Sequence, residues 1–165
     1  MSIKYHKLSS KLAFNDFKII AIHANIPAYR LAWCLDDTFS TQFVCEPESF
    51  TINLLPERNS NHVEYHFNGS DTQSRLWLIQ NNGTAGRLYS GKPTPDYWLI
   101  VEDVSFFDNF NHFIDQINGL DLVQMAYLFP ELKAKKLTWT SHLSHLVLSK
   151  ENDDSDQLND FPQDY

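Results

Sequence analysis

The chain is poor in the residues that mark several large classes of protein. Only two of its 165 residues are cysteine, Cys34 and Cys45, which is too few for a disulfide framework. With only five glycines and seven prolines, the chain as a whole is neither fibrous nor disordered. No apolar run approaches the roughly 18 residues that a membrane span needs, and the first twenty residues lack the apolar core of a signal peptide. These absences predict a globular, cytoplasmic protein without a membrane partner.

Charge is distributed unevenly along the chain. The net charge is -8, from 21 acidic and 13 basic residues, and six of the acids follow Lys150 with no base among them. We therefore expect a single domain over 1–150 and an acidic, disordered tail over 151–165. The tail either keeps the protein soluble or docks on a partner through Phe161 or Tyr165. Neither part has the basic stripe that phosphate binding requires, which argues against a nucleic-acid partner.

Strand and helix patterns alternate along the chain. A β-branched run over 17–24 predicts a buried strand, and Asn25 and Pro27 fit the start of a helix behind it. Ser105 is positioned to cap a second helix over 106–117, which Asn118 and Gly119 would end. Further strands are predicted over 42–45, 50–55, 62–67, 75–80, 97–101 and 122–129.

The order of these elements predicts an α+β fold. It is typical of a two-layer sandwich related to the ferredoxin-like fold, with two main helices on one face of an antiparallel or mixed sheet and hairpins inserted between its halves. Within 62–67, alternation predicts a half-solvated strand that turns His62, Glu64 and His66 toward water. The sheet face away from the helices should be exposed or should pair with a second subunit. Because 14% of the residues are aromatic, we expect a homodimer.

Four segments, FKIIAIHANIPAYRLAWCLD, LWLIQNNG, RLYSGKPTPDYWLI and QINGLDLVQMAYLFPELKAKKL, carry a resemblance to a known family. In this order they resemble the IPExxxVDY family, small proteins found mainly in Bacteroidetes. The closing pair of the family motif matches Asp96 and Tyr97, whereas Pro95 replaces the Val and Tyr89-Ser90-Gly91 stands in place of Ile-Pro-Glu. The resemblance implies a small cytoplasmic protein and no particular reaction.

Five residues are candidates for binding a ligand. His23, Tyr29 and Arg30 flank the junction between the first strand and its helix, where free N–H groups and a guanidinium favour an anion. Asp96 and Tyr97 follow a loop with two prolines.

Each candidate also has a structural interpretation. Arg30 would form an ion pair with Asp96 or Glu102, and His23 and Tyr29 would only pack against neighbours. Asp96 would accept backbone N–H groups to fix its loop. The sequence favours the structural interpretation over ligand binding for both groups of residues.

No sequence motif indicates catalysis or a metal. His62 and His66 would lie about 13 Å apart along a strand, too far to share one ion. His142 and His145 have no acidic or thiol partner nearby in the sequence. Nucleophile and phosphate-binding motifs are missing as well.

We therefore expect no catalytic residues, no metal and no cofactor. The sequence favours a non-catalytic interaction or structural module, with itself or another protein as partner. The alternative is a domain of ferredoxin-like type that senses a small anionic ligand.

Overall fold

A six-stranded sheet and two main helices form the fold. The computed structural model describes residues 17–46, 50–55, 58–69, 74–102, 109–134 and 137. The elements, in chain order, are β1 (Phe17–His23), α1 (Ala28–Phe39), β2 (Val44–Cys45), β3 (Phe50–Leu55), β4 (Arg58–His62), β5 (Glu64–Asn68), β6 (Arg75–Gln80), β7 (Tyr97–Glu102), α2 (Phe110–Asn118), β8 (Met125–Leu128) and α3 (Glu131–Ala134). The predictions made for Ser105, for His142 and His145 and for the tail lie outside the described residues.

The sheet has the strand order β2-β5-β6-β7-β1-β8, and every neighbouring pair in it is antiparallel. Strands β3 and β4 form a separate hairpin. The elements β1, α1, β6, β7, α2 and β8 follow the strand–helix–strand–strand–helix–strand order of ferredoxin-like sandwiches, and β2 to β5 are inserted after α1. The predicted α+β class is confirmed.

Both helices pack on one face of the sheet. Alternate residues of β1, Ile20 and Ile22, point to this face because strand side chains alternate with a period of two. Helix α1 meets them with Leu31 and Leu35, which recur at helical spacing. The same core includes Phe113 and Ile117 of α2 and Leu76, Leu78, Leu99 and Val101 of the sheet.

The opposite face of the sheet is buried by the chain itself. It carries Trp77 and Trp98, which are almost completely buried, together with Ile79 and Ile100. Strand β3 adds Phe50 and Ile52 to this second core, and Leu88 and Phe129 complete it from the connections. The expectation of a face that is exposed or free to pair with a second subunit is therefore wrong. The apolar side chains of the β3–β4 hairpin cover this face of the sheet.

The two helices start later than the sequence predicts. Helix α1 begins at Ala28 behind Pro27, which occupies the N-cap position without a side-chain hydrogen bond, so Asn25 is not its cap. In α2 the side chain of Asn109 accepts a hydrogen bond from the backbone N–H of His112 at 3.1 Å, and the helix ends before Gly119 as predicted.

None of the described helices is long and apolar enough to cross a membrane.

The segment 62–67 is not one strand. It splits at Val63 into β4 of the hairpin and β5 of the large sheet. His62 and Glu64 are buried, whereas Val63 is 39% exposed, so the prediction that the polar side chains face water is wrong for these two. The alternation fails because the strand is interrupted at Val63. His62 belongs to the hairpin and Glu64 to the large sheet, so the two side chains do not lie on one common strand face.

Candidate functional site

Asp96 and Tyr97 hold the connection between β1 and α1. A carboxylate oxygen of Asp96 accepts a hydrogen bond from the N–H of Ala24 at 2.9 Å. The backbone N–H of Asp96 donates to the carbonyl of Ile22, also at 2.9 Å. The hydroxyl of Tyr97 donates to the carbonyl of Ile26. Burial, reinforced by electrostatic interaction with Asp96 and Tyr65, raises the pKa of Tyr97 to about 12. The phenol is a donor at neutral pH in any case, and the raised pKa keeps it one well into the alkaline range. Both residues hold backbone groups in place.

His23 lies on the other face of the sheet. Ile22 is directly opposite Tyr97 in the ladder and shares its face, so the next residue, His23, points the other way. Its ring stacks on that of Tyr127, with the ring centres 5.9 Å apart. The sequence placed His23 beside Tyr29 and Arg30, and the sheet separates it from them.

Tyr29 and Arg30 lie on the outer face of α1, where both are exposed. The acids expected to pair with Arg30 have other contacts: Asp96 binds Ala24, and Glu102 Oε2 lies 3.8 Å from Nε of Arg75. Within the described part of the chain, Arg30 forms no ion pair. The five predicted residues therefore occupy three separate places.

The candidate site is an open groove beside α1, with a volume of about 310 Å³. One wall is the outer face of the helix, with Arg30, Trp33 and Asp37, and the other is the turn 120–122 after α2. Leu120 and Leu122 are the apolar residues of this second wall, and Asp121 between them adds a carboxylate. The groove thus combines one cation, two carboxylates and an indole that is 66% exposed.

The sequence did not identify Trp33 or Asp37 as site residues. The signal was present, because successive helix residues are rotated by about 100° and the buried positions of α1 therefore define one face. Ala28, Leu31, Ala32 and Leu35 form that buried face. Trp33 and Asp37 lie on the opposite side of the helix, where the side chain of Trp33 cannot be buried in the core.

The connection between β6 and β7 is organised by Asn81, a buried residue. Its Nδ2 donates to the carbonyls of Tyr89 at 2.9 Å and Pro95 at 2.8 Å. Its Oδ1 accepts from the N–H of Tyr89 and from Nε1 of Trp98, each at 3.0 Å. These four hydrogen bonds use the full hydrogen-bonding capacity of the amide. The buried side chain of Asn81 therefore holds the connection that leads into Asp96 in place.

A second buried polar group lies under the turn at Gly83. Nδ1 of His62 is 2.9 Å from the carbonyl of Gln80, and a carbonyl only accepts, so this nitrogen carries the proton. Nε2 is buried without a hydrogen-bond partner in the described structure. A Cβ on Gly83 would come within 2.4 Å of Ser60 Oγ and 2.5 Å of Nε2 of His62. The turn lies directly on the ring and leaves no space for a ligand.

We expect the stability of the protein to fall as the pH drops below 6.5, in part because of His62. Burial lowers the pKa of His62 from its ordinary value of 6.5, and the carbonyls of Gln80 and Asn81, which favour the charged ring, offset this only in part. The unfolded chain therefore takes up this proton first, so the contribution is complete above pH 6.5 and is lost toward the lower, folded pKa. Urea unfolding between pH 7.5 and 5 measures the loss.

The control for this measurement is His62→Asn, whose amide nitrogen can replace Nδ1 as donor without titrating. Its unfolding free energy should depend less on pH over the same range. Equal slopes for the variant and the wild type would contradict the assignment.

The described residues contain no group of three or more His, Cys, Asp or Glu side chains that could hold a metal ion. The chain matches no protein-family model and no curated protein sequence.

Proposed function

We propose that this protein is a non-catalytic interaction module that self-associates as a homodimer. The observation that supports the proposal is the outer face of α1, where Tyr29 and Trp33 are 65% and 66% exposed one helical turn apart. Adjacent exposed aromatic side chains are typical of protein contact surfaces. Both faces of the sheet are already covered, which leaves α1 as the main aromatic surface among the described residues.

The edges of the sheet are less suited to self-association. At the β8 edge, the N–H and the carbonyl of Ala126 both point away from β1, and both bind the side-chain amide of Asn118, at 2.7 and 2.8 Å. Beside β2, Asp36 accepts the N–H of Phe43 at 2.9 Å. Side chains thus occupy backbone groups that a further strand would need.

Sedimentation velocity of the full chain over a range of concentrations tests the proposal. We expect a concentration-dependent dimer, and Trp33→Ser should shift it toward monomer because the variant removes the largest exposed apolar surface of α1. Leu128→Ser is the matched control, since Leu128 is 43% exposed but lies on β8. A wild-type protein that stays monomeric at every concentration would overturn the proposal.

A second candidate function, binding of a small anionic ligand, is favoured by the groove beside Arg30. A guanidinium without an ion pair in the described structure is available to a carboxylate or a phosphate. Thermal shift with inorganic phosphate and simple dicarboxylates tests this, and a ligand at 100 times its Kd should add about 2.7 kcal/mol of stability. Arg30→Gln should abolish the shift. If none of these anions shifts the wild-type protein, this candidate fails.

We also propose that the protein works in the cytoplasm. Cys34 and Cys45 are both free thiols, which is the usual state of cysteine in a reducing compartment.

A further inference from the structure

The charges on the outer face of α1 follow a definite order along the helix. Arg30 lies in the first turn, Trp33 and Cys34 lie in the middle, and Asp37 lies in the last turn. All four line the same groove. Arg30 and Asp37 are seven residues apart, which is two helical turns or about 10 Å. Along α1, the residues that line the groove are therefore positively charged in the first turn, aromatic in the middle and negatively charged in the last turn.

Both charges lie at the unfavourable end of their own helix. The N-terminus of a helix carries a partial positive charge and the C-terminus a partial negative charge. Helix α1 has no acidic residue in its first turn and no basic residue in its last turn. Arg30 and Asp37 thus each add to the charge that the helix end already has, and a second molecule can relieve both at once.

We propose that two copies of this chain pair through an antiparallel contact of their α1 helices, with the two-fold axis passing between Trp33 and Cys34. The inference rests on the proposed homodimer and names its surface. The antiparallel arrangement places Arg30 of each copy against Asp37 of the other. A parallel arrangement would oppose like charges, Arg30 to Arg30 and Asp37 to Asp37, and is disfavoured for that reason.

The same arrangement covers the exposed aromatic surface. Trp33 of each copy meets the region of Cys34 in the other, and Leu120 and Leu122 border the contact. An interface of this kind is isologous, with one patch serving both copies. Because α1 is only about 18 Å long, the contact is smaller than a standard protein interface, and we expect a dimer that dissociates on dilution and weakens at high salt.

Charge exchange tests the register of the contact. In sedimentation velocity of the full chain, Arg30→Asp and Asp37→Arg should each raise the dimer dissociation constant by at least about tenfold, because each change introduces like-charge contacts twice in a symmetric interface. The double variant that carries both changes restores opposite charges and should recover most of the affinity. Lys133→Asp is the control for a charge reversal elsewhere, since Lys133 is exposed on α3.

A thiol readout gives an independent test. In a Cys45→Ser background, mild oxidation should cross-link Cys34 to Cys34 of the second copy faster in the wild-type charge pattern and in the double variant than in either single variant. Circular dichroism verifies that every variant is folded.

The outcomes separate the two proposals. A wild-type chain that is monomeric at all concentrations overturns both the homodimer and this contact. A dimer that is unaffected by the single charge reversals, or is not rescued by the double variant, overturns the antiparallel α1 contact and leaves the homodimer standing.

Discussion

Replacement of Asn81 by leucine should lower the free energy of unfolding by at least about 4 kcal/mol. The variant keeps the number of side-chain heavy atoms but removes both N–H donors of the amide and the one oxygen that accepts two hydrogen bonds. It leaves the N–H and carbonyl of Tyr89, the carbonyl of Pro95 and Nε1 of Trp98 without their partner. Each orphaned buried polar group costs about 1–3 kcal/mol, and Asn81 itself is almost completely buried.

Urea unfolding monitored by tryptophan fluorescence measures this loss. Asn82→Leu is the matched control, because Asn82 is exposed and its side chain accepts a single hydrogen bond, from Nε of Arg87 at 2.8 Å. Its cost should be under about 1 kcal/mol. If Asn81→Leu were as mild as the control, the connection from 81 to 96 would not be organised by this amide.

Trp98→Ala should destabilise the protein by about 3–5 kcal/mol. Trp98 is fully buried on the face of the sheet covered by the hairpin, and its ring packs edge-on against those of Phe129 and Tyr89, with centroid distances of 5.1 and 5.8 Å. Truncation leaves a large cavity in a core made of rigid strands, which cannot collapse to fill it. It also removes the indole donor to Asn81.

Trp33→Ala is the control with the same chemical change. Trp33 is 66% exposed, so the unfolding free energy of the monomer should change by less than about 0.5 kcal/mol. The measurement should be made at a protein concentration low enough that any dimer has dissociated. Similar losses for the two tryptophan variants would contradict the burial of Trp98 in a second core.

Local patterns in the sequence predicted most of the elements but not what covers the sheet. β3 and β6 were predicted with their observed bounds, 50–55 and 75–80, because each is a short, largely apolar stretch between polar or turn-forming residues. The second core depends on long-range packing of Phe50 and Ile52 against Trp77 and Trp98, which no local period reveals. For the same reason the break at Val63 and the burial of His62 were missed.

The candidate site was predicted only in part. Arg30 does line a groove, whereas Asp96 and Tyr97 bind backbone groups and His23 lies behind the sheet. Proximity in sequence suggested a single cluster, but adjacent strand residues point to opposite faces, and α1 turns Tyr29 and Arg30 away from the strand ends. Asn81 was not singled out because its partners lie up to 17 residues away.

The amide of Asn118 has a consequence for how an assembly of this protein can grow. An exposed strand edge is a template on which further chains add without limit, whereas a two-fold contact is complete once it has formed. By occupying both outward groups of Ala126, Asn118 removes the middle of the β8 edge as such a template. A dimer formed through α1, as proposed above, would then remain a closed pair, because a single side chain suppresses open-ended addition of strands at this edge.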